Sequence, residues 1–373
     1  MLSLRLIGTL LCAVVPQVVQ SISPKPLSAS GRWIVDSDGN NVTYAGVNWP
    51  GAADTMLPEG LQYTSIEDIV SKIKDLEMNS ICLTFAMEMV GDIFENGADV
   101  LIKSSLINAL GEKNGSPVFQ QIIHHNPQFG INTTRLQVFN AVAHECYRQG
   151  IYVHLDNHVS KAKWCRSTTD GNSWFGDEYF DNIITDAYWQ VKFLPAVKSI
   201  GMRNELRRPE DNSALINKTY NWQHWYENMV NNANQVHQVN PDLLVFFSGL
   251  NYDTTQPNSH RIVLELHSYD STTSSCDTLS SSLRSSGFNA LDAKNSSIVN
   301  VLPVVMTEFG FEQDSTTYKD VYASCLREFL PSHHAGWMVW VISGSYYIRD
   351  GKQDDDEPWA NDVTGLLDHT WSQ

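Results

Sequence analysis

Lys198-Ser-Ile-Gly-Met-Arg-Asn-Glu-Leu-Arg207 is an apolar run that stops on an amide and a carboxylic acid, Asn204 and Glu205. A strand ending this way carries polar groups at its C-terminal tip. The design recurs in Val304-Val-Met-Thr-Glu-Phe-Gly310, where Glu308 closes a second apolar run. Charged residues are seldom buried unpaired, so one such glutamate would read as a structural ion-pair partner. Two of them, on two strand tips, supply the pair of carboxyl groups that cleavage of a glycosidic bond requires.

Working outward, eight short β-like runs can be read: Val42–Val47, Ser80–Phe85, Ile151–Leu155, Ser199–Arg203, Leu243–Phe247, Arg261–Leu266, Pro303–Thr307 and Gly336–Ile342. Helical periodicity lies between several of them, at Ser65–Leu76, Thr134–Arg148, Asp181–Leu194, Trp222–Gln238 and Thr317–Phe329. Ser65-x-x-Asp68 is a capping signal. Apolar strands alternating with amphipathic helices imply a parallel sheet, and eight in one chain of 373 residues imply a closed (β/α)8 barrel. An open doubly wound sheet would want a glycine-rich phosphate turn after its first strand, and Asn48-Trp-Pro-Gly51 is not one. Gly31–Val35 and the turn at Asp38–Asn41 predict a small hairpin ahead of the barrel. Only 13 residues, Ser248–His260, separate the fifth and sixth runs, which predicts an irregular, shortened crossover.

In a barrel, chemistry collects at the C-terminal ends of the strands. Here those ends carry Asn48-Trp49, His154–His158, Asn204-Glu205, His267-Ser-Tyr269, Glu308-Phe-Gly310 and the Trp337/Trp340 pair. The fourth and seventh tips face each other across the mouth, close enough for a nucleophile and an acid/base. Asn204 is then placed to hydrogen-bond a sugar 2-hydroxyl, and a tryptophan face at the eighth strand can stack on a sugar ring. Glu265 is expected to be an interior partner, Asp156 to orient His158, and Glu88 to lie in a long loop beside the cleft. The acidic run Gln353–Glu357 reads as a solvated loop.

The composition fits a folded soluble protein and not a disordered one: 42% apolar and 18% charged residues, with a formal charge of −17. That charge argues against nucleic acid or an anionic membrane as partner. Residues 1–23 read as a secretory signal, with Arg5 ahead of an apolar stretch too short to span a membrane comfortably. Residues 24–373 then form one domain, expected to be an extracellular monomer. Five sequons, at Asn41, Asn114, Asn132, Asn217 and Asn295, agree with a secretory route. Cys82, Cys146, Cys165, Cys276 and Cys325 remain after the signal, an odd number, and no cysteine or histidine spacing marks a metal site.

These motifs resemble glycoside hydrolase family 5, in particular secreted fungal cellulase-like members, from about Gly31 to the C-terminus. The resemblance implies that Glu205 in Arg203-Asn-Glu-Leu-Arg207 is the general acid/base and Glu308 in Met306-Thr-Glu-Phe-Gly310 the nucleophile. It further implies substrate contacts from His158, Asn204, His267, Tyr269 and Trp340, with Trp49 beside them. A retaining double displacement on a β-linked glucan or mannan, needing neither metal nor organic cofactor, would follow. Endo-β-1,4-glucanase-like action is the first expectation, with β-1,3-glucanase or β-mannanase as alternatives. Cys82 stands where related chains carry an arginine that supports the nucleophile, and loss of that cation should raise the nucleophile's pKa. A carbohydrate-binding pseudoenzyme is therefore a second class. An unrelated esterase barrel would want a Gly-x-Ser-x-Gly elbow, which the chain lacks. The chain is also shorter than its relatives around Gln190-Val191, and Trp164-Cys-Arg166 lacks a second cysteine. Cys276 and Cys325, falling after strands six and seven, are expected to pair.

Overall fold

The computed structural model describes residues 26–163, 174–176, 197–209, 212–251, 262–270, 272–296, 298, 301–312, 316–342, 348–349 and 351–353. Eight parallel strands close into a ring: β1 (Ala45–Trp49), β2 (Ser80–Ala86), β3 (Tyr152–Val159), β4 (Val197–Gly201), β5 (Leu244–Phe247), β6 (Val263–Ser268), β7 (Val304–Phe309) and β8 (Gly336–Val339). Each strand pairs with the next, and β8 pairs with β1 through Trp337↔Ala45. The expected barrel is therefore present, with strand limits displaced by a few residues. Val42 belongs instead to a three-stranded antiparallel sheet of Ser28–Ser30, Trp33–Val35 and Asn41–Val42.

That small sheet explains how the barrel floor is sealed. Leu27 and Ile34 pack with Tyr44, Cys82, Phe246, Val263, Val305 and Met338, forming an apolar plug that joins the small sheet to the barrel strands. The larger core lies between the strands and the surrounding helices. Among those helices, α1 (Ile66–Asp75) starts where Ser65 accepts the Asp68 N–H, and α4 (Arg135–Gln149) starts with a full capping box from Thr134 and Gln137. Both starts follow directly from local sequence.

The segment after β2 departs from the expected long loop. It forms α2 (Met87–Asn96) and α3 (Ile102–His125), the latter kinked at Gly111, whose φ of 76° lies in the left-handed region. Gly111, Gly115 and Pro117 interrupt the periodicity that would have announced this helix. Buried Arg135 ties the segment down through Asp92 at 2.9 Å and Asp99 at 2.9 Å. Farther on lie α5 (Ser213–Thr219), α6 (Trp222–Val239), α7 (Cys276–Ser286) and α8 (Val321–Ser332). Cys276 and Cys325 are disulfide-bonded, as expected, joining α7 to α8. Among the described residues Cys82 and Cys146 are free and buried. The helix expected at Asp181–Leu194, the Gln190-Val191 and Trp164-Cys-Arg166 positions, the acidic run, and most of the Ser248–His260 crossover lie outside the described residues.

Candidate active site

The site is assembled from the interior upward. Above the apolar plug, Tyr44 Oη meets Ser199 Oγ at 3.0 Å and His154 Nδ1 meets the same oxygen at 2.9 Å. His154 Nε2 faces Glu265 Oε2 at 3.7 Å, and Ser248 Oγ donates to Glu265 Oε1. Glu265 is thus the interior partner its position suggested. Gly201 leaves room for this layer. A Cβ there would come within 3.2 Å of Asp156 Oδ1 and 3.3 Å of both Glu265 oxygens.

At the mouth, local backbone features aim the two key glutamates. The pairing of β7 with β6 shifts register between Met306 and Glu308, bringing Glu308 opposite His267. Such irregularities re-aim side chains next to active sites. Glu205 follows β4 in the left-handed region at φ 43°, an arrangement costing a non-glycine residue about 1–2 kcal/mol. Strain of this kind persists only where surrounding structure over-determines it. Here Arg203, fully buried, donates to Asn157 Oδ1 at 3.0 Å and Ser160 Oγ at 2.7 Å, while the Asn204 N–H donates to Asn157 O at 3.0 Å. The turn after β4 is therefore fastened to the end of β3.

Four of the expected residues, His158, His267, Tyr269 and Trp340, gather around the Glu205 and Glu308 carboxylates. His267 Nδ1 lies 3.0 Å from Glu205 Oε1 and 3.6 Å from Glu308 Oε2. An oxygen of Glu205 and one of Glu308 lie within 4.8 Å of each other. Tyr269 Oη donates to Glu308 Oε2 at 3.0 Å, with its ring half-exposed at the rim. Asp156 Oδ2 holds His158 Nδ1 at 2.6 Å, and His158 stacks against Trp340 with centroids 5.4 Å apart. Glu308 Oε1 has no hydrogen-bond partner, although its side chain is only 6% exposed. Glu88 accepts the Ala162 N–H at 2.8 Å, joining the segments after β2 and β3.

Trp49 is a correction. Its ring is wholly buried in the core and its indole N–H donates to Glu59 O at 2.9 Å, so it offers no face to a ligand. Sequence reasoning also passed over Arg203 and Arg207, although both stand in the stretch that decided the fold. The Arg207 side chain is 1% exposed, and its Nη2 lies 2.9 Å from Glu205 Oε2. An arginine two residues from a carboxylate, Glu205-Leu-Arg207, was the available signal.

The charges divide the pair. Burial alone would raise Glu205, but the hydrogen bond and charge of His267, together with Arg207, outweigh it and hold the carboxyl down to about 2. Burial pushes Glu308 up to about 7, with the Glu205 and Asp156 carboxylates adding and the two histidines opposing. Burial works against protonation of His158, yet the Asp156 carboxylate prevails and its pKa rises. Cys82 lies within the electrostatic reach of Asp156, Glu308 and Glu265, and burial pushes its thiol well up, so it brings no charge to the group. Two triads, Asp156/His158/Glu308 and Glu205/His267/Glu308, are compact enough to approach one ion. Their atoms already face one another as an acid–base network, which accounts for the clustering without one.

The family model for cellulase, glycosyl hydrolase family 5, matches residues 35–345. A glycosyl hydrolase 5 family protein of Chamaecyparis obtusa is 30% identical over 393 aligned residues, covering 100% of this chain and 67% of its own. Among solved structures, an endocellulase of Pyrococcus horikoshii in complex with cellotetraose superposes with a TM-score of 0.67 at 16% identity, covering 95% of this chain and 100% of that one. The catalytic domain of the major endoglucanase of Xanthomonas campestris pv. campestris gives 0.61 at 16% identity, over 94% and 99% of the two chains. At such identities the structural likeness speaks for the fold.

Proposed function

The chain belongs to glycosyl hydrolase family 5, and from that premise we propose that it is a retaining, endo-β-1,4-glucanase-like enzyme with Glu308 as nucleophile and Glu205 as acid/base. The observation that carries the reading is the approach of the two carboxylates within 4.8 Å. A retaining pair stands about 5–5.5 Å apart, whereas an inverting pair is held wider to admit a water. Tyr269 fixes Oε2 of Glu308 and leaves Oε1 without a partner, the oxygen suited to attack the anomeric carbon. Trp340, backed by His158, supports a stacking platform for a sugar ring. Asn204 and His267 supply polar contacts at the bond to be cleaved.

We read the protein as secreted. The signal-like residues 1–23 support this, as does the Cys276–Cys325 disulfide, since such bonds persist in oxidising compartments. All five sequon asparagines are exposed, as glycosylation needs.

Reducing-sugar release by the purified mature chain tests the reading on β-1,4-glucan, β-1,3-glucan, mixed-linkage glucan and mannan. Release on one polymer that disappears in Glu308→Gln is the expected result and identifies the linkage. A folded protein that releases nothing from any of them refutes it and favours binding without cleavage.

A further inference from the structure

Of the strand-end pair Asn48-Trp49, the tryptophan lies in the core, and the asparagine grips two other strands of the barrel. The Asn48 side chain is fully buried, with three carbonyl oxygens around Nδ2: Thr307 O on β7 at 2.9 Å, and Met338 O and Val339 O on β8 at 3.3 Å each. Only the NH2 end of an amide can face three carbonyls, which settles its orientation. Its two protons suffice for one bond to Thr307 and one shared between the β8 carbonyls. Oδ1 has no hydrogen-bond partner among the described residues, so what the amide contributes here is its donors.

The bond to Thr307 falls where β7 needs it. β7 pairs with β8 as far as Met306↔Trp337, and its pairing with β6 passes from Met306↔Leu266 directly to Glu308↔His267. Thr307 is the extra residue of that irregularity. A bulge takes such a residue out of the ladder, and its buried carbonyl must find a donor elsewhere. Asn48 supplies that donor from β1, reaching across β8. Glu308 is the next residue, so the bulge sets where its carboxylate points. A one-residue slip in pairing turns a side chain to the opposite face of the sheet, so relaxation of the bulge would carry Glu308 out of the mouth.

We propose that Asn48 is a positioning residue that pins the bulge at Thr307 and so holds Glu308 in line with the anomeric carbon. This rests on the assignment of Glu308 as nucleophile. The test compares Asn48→Ala and Asn48→Asp with Asn126→Ala. Asn126 is a second fully buried asparagine whose Nδ2 also lies on three carbonyls, Leu61 O, Thr64 O and Ile122 O, outside the site. In each variant, kcat/KM on dinitrophenyl and phenyl β-cellobioside reports the step in which Glu308 attacks. Calorimetric titration with cellobiose reports the folded cleft.

Asn48→Ala should lower kcat/KM by roughly a hundredfold, the scale of a misplacement of about 1 Å, and equally on both substrates. Its cellobiose affinity and stoichiometry should be kept. Asn48→Asp preserves the volume but offers at most one O–H to the three carbonyls, so its loss should be smaller. It decides the matter if Asn48→Ala does not fold. Asn126→Ala should lose stability while keeping kcat/KM per folded molecule. Wild-type kcat/KM in the folded Asn48 variants, an equal loss in Asn126→Ala, or cellobiose binding lost in parallel with activity overturns the proposal and leaves the glycosidase reading intact. A loss confined to the phenyl substrate would place the effect on the acid Glu205 and overturns it as well. No turnover even of the dinitrophenyl cellobioside by folded wild type, joined to silence on the polymer panel, overturns both.

Discussion

Glu308→Gln should stabilise the folded protein in alkali while abolishing its proposed reaction. Glu308 is lifted from an ordinary 4.5 to about 7 by burial in the barrel mouth. One pKa unit corresponds to about 1.4 kcal/mol, so ionising this group costs about 3 kcal/mol more in the folded than in the unfolded chain. Because the folded value is the higher one, the folded state binds the proton more tightly. Stability is therefore unimpaired below the unfolded value of 4.5 and declines as pH rises through about 7. Glu205, held down to about 2, stays ionised throughout that window and does not mask the effect. Glutamine does not titrate, and its amide oxygen can keep the Tyr269 bond. Equilibrium urea unfolding at about pH 4.5 and about pH 8 should show the variant gaining on wild type by about 3 kcal/mol between the two conditions. A difference that is equal at both pH values would refute the placement of Glu308 in a desolvated site.

Other substitutions probe neighbouring links. Cys82→Arg puts a cation beside Glu308, Asp156 and Glu265, and an opposite charge lowers a carboxyl by about 1–3 units. The acidic limb of kcat/KM should move down accordingly, at an overpacking cost of about 1–3 kcal/mol in stability; an unchanged profile would contradict the charge argument. Tyr269→Phe removes the donor to Glu308 Oε2, and a hydrogen bond to a charged group contributes about 1.5–3 kcal/mol. A roughly ten- to hundredfold lower kcat with little change in KM is expected from steady-state kinetics. Replacing Cys276 and Cys325 by alanine opens a loop with a sequence separation of 49. The expected loss is about 4 kcal/mol, or about 5 °C in Tm by calorimetry; an unshifted Tm would show that the bond contributes nothing.

The strand runs were legible because burial on both faces leaves near-continuous apolar segments, and parallel barrel strands are of that kind. The starts of α1 and α4 were legible because a cap is written in three or four adjacent residues, Ser65–Asp68 and Thr134–Gln137. Helices α2 and α3 were not: α2 has no side-chain cap to announce its start, and in α3 Gly111, Gly115 and Pro117 contradict local helix propensity, which tertiary packing overrides. Trp49 misled for a related reason. A tryptophan at a strand end can face the mouth or the core, and only the path of the chain past Glu59 decides which.

By itself the sequence determined what depends on neighbours along the chain: eight apolar runs, the capped starts of α1 and α4, and a glutamate closing two of the runs. It also carried the residue types the chemistry requires. Only the tertiary structure decided which tips face each other and how closely the two glutamates approach. It alone brought Arg207 and His267 onto the same carboxylate, through a left-handed turn no pattern announces. The opposite displacement of two chemically identical side chains, Glu205 down and Glu308 up, arises from the same source. Proton affinity follows solvent exclusion and the positions of charges, and both come into being only when distant segments meet.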